Sequence, residues 1–171
     1  MELARAARLA LFAALALGCA TPHADTAAKT SSAPPPPGAA DWRVAGKIDF
    51  EVYNAPICGG AGPSPTSQCS RAHYTGSIQA LGETAIQKFA PMDDVSGLVF
   101  ITENEVIHLP DGDLKTRVNA VFHAKSADAE FVSMHTVVGG TGRYEGATGH
   151  IQLKGHGGKD TDYEGVIRLA R

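Results

Sequence analysis

Any chemistry in this chain must come from a few carboxylates, imidazoles and hydroxyls. Glu103 and Glu105 stand two residues apart, so on a strand they share one face, and paired carboxylates can serve acid–base chemistry. If Leu98, Phe100, Thr102 and Asn104 point inward, that shared face is the outer one, and the two carboxylates are solvated surface charge. Seven histidines invite a metal. His150 and His156 are six apart, and His123 and His135 could meet across a hairpin. Neither pair brings an Asp or Glu at ligand spacing, so they are read as outward strand residues and no metal site is assigned. A Ser-His-Asp set assembles in space, so spacing does not exclude one, but the Gly-x-Ser-x-Gly nucleophile turn is absent. No catalytic residue is assigned on these grounds, and no cofactor is expected. Thr102, Asn104, Thr116 and Thr136 share parity with apolar positions expected to face inward. They are the candidate ligand-binding groups of a mostly apolar pocket, or else they satisfy one another in a closed core.

Strands are the elements that would hold these side chains. From Arg43 to Tyr53 the pattern has period two, with Val44, Ile48, Phe50 and Val52 on one face and Arg43, Lys47, Asp49 and Glu51 on the other. Tyr74 to Leu81 and Thr84 to Phe89 flank Gly82-Glu83, which suits a two-residue hairpin. Leu98 to Leu109 is a long strand closed by the turn Pro110-Asp111-Gly112-Asp113. Leu114 to Ala124, Glu130 to Val138, Gly149 to Gly155 and Asp162 to Leu169 complete a set of eight. No segment carries a helical apolar stripe, so the strands should pair antiparallel as a meander. The expected fold is all-β, a single antiparallel eight-stranded β-barrel able to enclose side chains or one small ligand. A two-sheet β-sandwich is the alternative.

The 171 residues divide into three unlike parts. Residues 1–18 hold Arg5, Arg8 and the uninterrupted apolar run Leu9 to Leu17, which describes a secretory signal peptide and is too short to span a bilayer. Ala16-Leu17-Gly18-Cys19 resembles a bacterial lipobox, which makes Cys19 the expected lipidation site; cleavage after Ala20 is the alternative. Residues 19–40, rich in Ala, Ser, Thr and Pro, have too little to bury and read as a disordered tether. Residues 41–171 remain for the barrel. With Cys19 acylated, Cys58 and Cys69 are left to pair, and an exported chain meets an oxidising compartment, so a disulfide is expected. It would close a turn-rich loop that nothing else obviously orders, worth roughly 3 kcal/mol in the chain-entropy description. A net charge of −3, dispersed along the chain, lacks the basic patch of a nucleic-acid-binding protein.

The most distinctive stretch is Gly139-Gly140-Thr141-Gly142-Arg143-Tyr144-Glu145-Gly146-Ala147-Thr148-Gly149. As a dinucleotide fingerprint it fails, because Glu145 stands where the third glycine belongs. Clustered glycines instead allow positive φ at a tight strand connection, with Tyr144 packed beneath. The segment resembles the glycine-rich signature of allene oxide cyclase-like and dirigent-like β-barrels. That resemblance implies a barrel fold and hydrophobic small-molecule substrates, and it transfers no catalytic residue, because the Cys58–Cys69 loop and the first half of the chain lie outside it.

Together these readings lead to an exported, lipid-anchored barrel in the bacterial cell envelope, on the outer-membrane or periplasmic side. It would bind a small hydrophobic molecule without catalysis. Its partners would be the membrane through the lipid anchor and that ligand, with no nucleic acid and the oligomeric state open. A cyclase or isomerase acting by binding geometry, and a structural envelope lipoprotein, are the alternatives. A sizeable cavity containing an ionisable residue would favour the enzyme, and a filled interior the structural reading.

Overall fold

The computed structural model describes residues 41–92, 96–125, 130–156 and 159–170. The expected signal segment 1–18, the tether 19–40 and Cys19 lie outside them. Eight antiparallel strands follow one another in chain order: β1 (Asp41–Asn54), β2 (Gln68–Gly76), β3 (Ala80–Pro91), β4 (Leu98–Leu109), β5 (Gly112–His123), β6 (Glu130–Gly140), β7 (Thr148–His156) and β8 (Lys159–Arg168). Each pairs with its neighbours, and β1 also pairs with β8 from Asp41↔Arg168 to Ile48↔Thr161, so the sheet closes into the expected barrel. Closure leaves no unpaired edge to template aggregation.

The expected hairpin at Gly82-Glu83 is instead part of the interior of β3, and the chain reverses at residues 77–79. Gly76, at φ 100°, ends β2 in a conformation that disfavours other residues. The Tyr163 hydroxyl then accepts the Ile78 N–H at 2.8 Å and donates to the Thr75 carbonyl at 3.0 Å, holding the turn from across the barrel. Gly82 serves packing: a Cβ there would lie 2.9 Å from Glu105 Oε1 and 3.1 Å from the Tyr74 ring.

One end of the interior is solid. Trp42, Ile78, Ile107, Leu114, Tyr144 and Ile167 are buried in a single cluster where β1 begins and β8 ends. At about 1.5–3 kcal/mol for each large apolar side chain removed from water, this plug is the main anchor of the fold. The glycine-rich connection between β6 and β7 caps it. Tyr144 is fully buried beneath that loop, its ring 6.4 Å from Trp42. Gly142, at φ 56°, lies against the β4–β5 turn, where any side chain would strike the Asp111 carbonyl. Thr141 Oγ1 accepts the Asp113 N–H at 2.9 Å and ties the two turns together.

The disulfide Cys58–Cys69 is formed. Its loop is more ordered than its composition suggests. Cys58, Cys69 and Ala85 make a second small buried cluster outside the barrel wall. A bulge between Ile86 and Lys88 interrupts the β3–β4 ladder, and the Ile86 carbonyl accepts the hydroxyls of Ser64 and Thr66, each at 2.8 Å. Gly60 N–H adds a 2.6 Å bond to Glu83 Oε2 on the outer face of β3.

Candidate active site

The other half of the barrel is hollow. Small inward residues on β2, β3, β5 and β6, namely Ser70, Ala72, Thr84, Ala120 and Ser133, leave a cavity of about 340 Å³. Its walls are otherwise apolar, including Phe50 and Phe131, whose rings meet edge to face at 5.4 Å. Val52 and Phe89 line the cavity and are also solvent-exposed, which places its mouth at the end away from the plug.

Three ionisable side chains face this apolar space: Glu103 and Glu105 from β4 and His135 from β6. Glu105, 2 % exposed, is the hub. Its Oε1 accepts the Tyr74 hydroxyl at 2.6 Å, and its Oε2 accepts Thr116 Oγ1 at 2.9 Å and lies 2.8 Å from His135 Nδ1. Burial alone would push the Glu105 carboxyl up, but His135 and the hydrogen bonds from His135, Tyr74 and Thr116 outweigh it and hold it below its ordinary value. An ionised Glu105 only accepts, so His135 Nδ1 carries the proton. In the neutral ring Nε2 is then the acceptor, and Ser133 Oγ, 3.0 Å away, donates to it. Burial, followed by the facing Glu105 carboxylate, raises the Tyr74 hydroxyl well above its ordinary value, so Tyr74 stays a donor.

Glu103 behaves differently. Among the described residues no hydrogen bond reaches its carboxyl, and it lines the cavity half-buried. Burial, reinforced by Glu105 and opposed by His135, pushes it up to about 7. One strand therefore presents two carboxyls in contrasting states, one ionised and held by three donors, the other able to gain or lose a proton near neutrality. Such divergence is the usual mark of acid–base roles.

The expected site residues separate on this geometry. Thr116 is inward and buried, but it binds Glu105 and does not line the cavity. Asn104 and Thr136 are exposed on the outer face, and Thr102, two residues from Asn104, is half-buried on that same outer side. Glu103, Glu105 and His135, expected outside, are inside. Two local inversions of polarity account for this. In β4 both parities begin apolar, with Leu98 and Phe100 on one and Val99 and Ile101 on the other, so alternation alone does not choose a face. In β6 the polar Ser133 and His135 point inward while Val132, Met134 and Val138 stand exposed outside. A usable signal existed in the β4–β5 turn. Pairing Leu109 with Gly112 across Pro110-Asp111 sets Glu105 opposite Thr116 and Glu103 opposite Val118, on the faces of residues already read as inward. His123 pairs with Leu98, so it does not meet His135, which pairs with Val118.

A second polar group lies on the outer wall. His108 Nδ1 is 2.8 Å from Asp113 Oδ1 and its Nε2 is 3.2 Å from Glu83 Oε2, the carboxylate that also holds Gly60 of the disulfide loop. Its Asp113 and Glu83 partners raise His108, while the Gly60 N–H and His108 lower Glu83. This group latches the loop to the barrel. Comparison with protein-family models, with characterised proteins and with solved structures returns no match.

Proposed function

We propose that the protein is an acid–base catalyst, an isomerase or cyclase, acting on a small and mostly apolar molecule held in the barrel. The observation that carries this reading is the shared cavity: Glu103, free of hydrogen bonds among the described residues, and the Glu105–His135–Ser133 chain open into one apolar space. Binding of a hydrophobic molecule is part of the proposal. Ionisable groups at the binding surface favour turnover over binding alone, because a carboxyl kept in an apolar cavity destabilises the fold, and a catalytic role accounts for its being there. Glu103 would exchange a proton with the substrate, and His135, oriented by Glu105, would complete the transfer through Nε2 directly or through the Ser133 hydroxyl. The resemblance of Gly139–Gly149 to allene oxide cyclase-like and dirigent-like barrels supports a hydrophobic substrate. Lipid anchoring through Cys19 in the cell envelope belongs to the same proposal. Asp41 lies at the plugged end, so a tether entering there would leave the mouth unobstructed.

The test is a screen of the full chain against small lipids, fatty-acid epoxides and phenolics, with binding read by native mass spectrometry and conversion by chiral chromatography. For a substrate so found, Glu103→Gln should lower kcat by about 10²–10⁴-fold while leaving affinity nearly unchanged. Undiminished turnover in Glu103→Gln would refute the assignment.

A further inference from the structure

The geometry points to a second activity at this site: acyl transfer from small apolar esters to water, with Ser133 as the nucleophile. Ser133 Oγ is 3.0 Å from His135 Nε2, and His135 Nδ1 is 2.8 Å from Glu105 Oε2. Nucleophile, base and orienting carboxylate thus occur in the order and at the separations that activate a serine hydroxyl. The orienting residue is itself fixed, since Tyr74 and Thr116 also donate to Glu105, at 2.6 Å to Oε1 and 2.9 Å to Oε2. The set is assembled by sheet register, which explains how it escapes a motif search. Ser133 and His135 are two residues apart on the inner face of β6, and Glu105 reaches them across β5 through the pairs Glu105↔Thr116 and Val118↔His135. A strand face presents the serine, so no nucleophile turn is needed.

The reaction closes without any further reagent than water. Ser133 Oγ bonds to the ester carbonyl carbon as its proton passes to His135 Nε2, and the carbonyl π pair moves onto oxygen. Collapse of that intermediate breaks the bond to the alcohol oxygen, which takes the proton from His135 as it leaves. Water, deprotonated by the same nitrogen, then attacks the acyl-Ser133 carbonyl and releases a carboxylic acid and the restored serine. Glu103 in its neutral form, lining the same cavity, offers an O–H to the oxyanion. Apolar walls and a volume of about 340 Å³ select short-chain or compact acyl groups.

The proposal rests on the cavity of the isomerase reading but not on its chemistry, because it needs a covalent acyl-Ser133 intermediate that proton transfer does not form. The full chain is treated with diisopropyl fluorophosphate and the adduct located by peptide mass spectrometry, alongside hydrolysis of p-nitrophenyl butyrate. The phosphoryl group should attach to Ser133 with loss of fluoride. Ser133→Ala should abolish labelling, and His135→Gln should slow labelling and hydrolysis by about 10²–10⁴-fold. Ser133→Cys, close in volume, should regain covalent reactivity toward iodoacetamide that depends on His135, which keeps the test valid if another variant fails to fold. An unlabelled Ser133 beside a fully labelled serine hydrolase, or ester hydrolysis unchanged in Ser133→Ala, would overturn the proposal. Isomerisation by the unsubstituted chain without labelling of Ser133 would overturn this proposal and leave the isomerase reading standing; labelling of Ser133 without isomerisation would do the reverse.

Discussion

Glu103→Gln should stabilise this protein, and the stabilisation should appear only as pH rises. The Glu103 carboxyl is moved from an ordinary 4.5 to about 7, chiefly by burial. At ~1.4 kcal/mol for each tenfold change in acidity, the displacement corresponds to about 3 kcal/mol. A native carboxyl that keeps its proton to about pH 7 binds more protons than the unfolded one between about 4.5 and 7, so stability falls as pH climbs through that window. Below it both states are protonated and the cost vanishes; above it the whole cost stands. Glutamine has nearly the same shape and does not titrate. The gain from Glu103→Gln relative to wild type should therefore grow by about 2–3 kcal/mol between pH 4.5 and pH 8.5, cavity water reducing the upper figure. Urea unfolding at both pH values measures it, and the single tryptophan, Trp42, reports from the plug, where it is 2 % exposed. A stability difference between the two proteins that does not change with pH would refute the reasoning, because it would mean that Glu103 titrates alike in folded and unfolded chains. A gain that appears at high pH together with lost turnover would mark Glu103 as a position where stability has been given up for function.

Other positions give expectations of different kinds. Glu105→Gln places an amide NH₂ among three donors and should cost about 3 kcal/mol in urea unfolding at neutral pH, the reverse of Glu103→Gln. Tyr144→Ala opens the plug and should cost about 3–5 kcal/mol, measured by the same titration. Replacing Cys58 and Cys69 together by alanine should cost about 3 kcal/mol and leave the affinity of the cavity for an apolar fluorophore nearly unchanged, because both cysteines lie outside the barrel wall. For the outer latch the direction depends on pH. The raised His108 contributes stability that is complete below 6.5 and lost as pH rises through its folded value, and the lowered Glu83 contributes stability that is complete above 4.5 and lost as pH falls through its folded value. Amide exchange at Gly60 should accordingly be slowest, relative to the intrinsic rate, between those limits, and His108→Gln should remove the alkaline loss.

The barrel could be read from the chain because strands with short links and no helical stripe leave few ways to bury their inner faces. Closure, strand number and the placement of Tyr144 under the glycine-rich loop all follow from alternation and turn chemistry. The interior of the site was less legible for a physical reason. Alternation assigns the apolar set to the core, and β6 reverses that assignment by turning Ser133 and His135 inward and Val132, Met134 and Val138 outward. The same rule turned Gly82-Glu83 into a turn, since a glycine kept free to admit the Tyr74–Glu105 bond looks in sequence like any other turn glycine. Register was the better guide. It transfers the face of one well-read strand, here β5, to its neighbours through the hairpin count.

That register also explains how the polar cluster divides into a part that holds the fold and a part free to react. Glu105 is joined to the plug by two rings: Tyr74 donates to it at 2.6 Å and packs edge to face on Tyr163 at 5.5 Å, and Tyr163 holds the β2–β3 turn through Ile78. Changing Glu105 therefore disturbs the turn and the plug as well as His135, and lost activity in such a variant would not separate chemistry from unfolding. Glu103 and Ser133 lie on the cavity side of that chain. Among the described residues no hydrogen bond reaches Glu103, and the hydroxyl of Ser133 bonds only to His135. Removing the Glu103 carboxyl returns stability above neutral pH, and removing the Ser133 hydroxyl unpairs only His135 Nε2. Effects on turnover at these two positions accordingly test the proposed chemistry without disturbing the plug, and opposite stability changes at Glu103 and Glu105, two residues apart on one strand face, would locate the boundary between the residues that hold the fold and those that face the cavity.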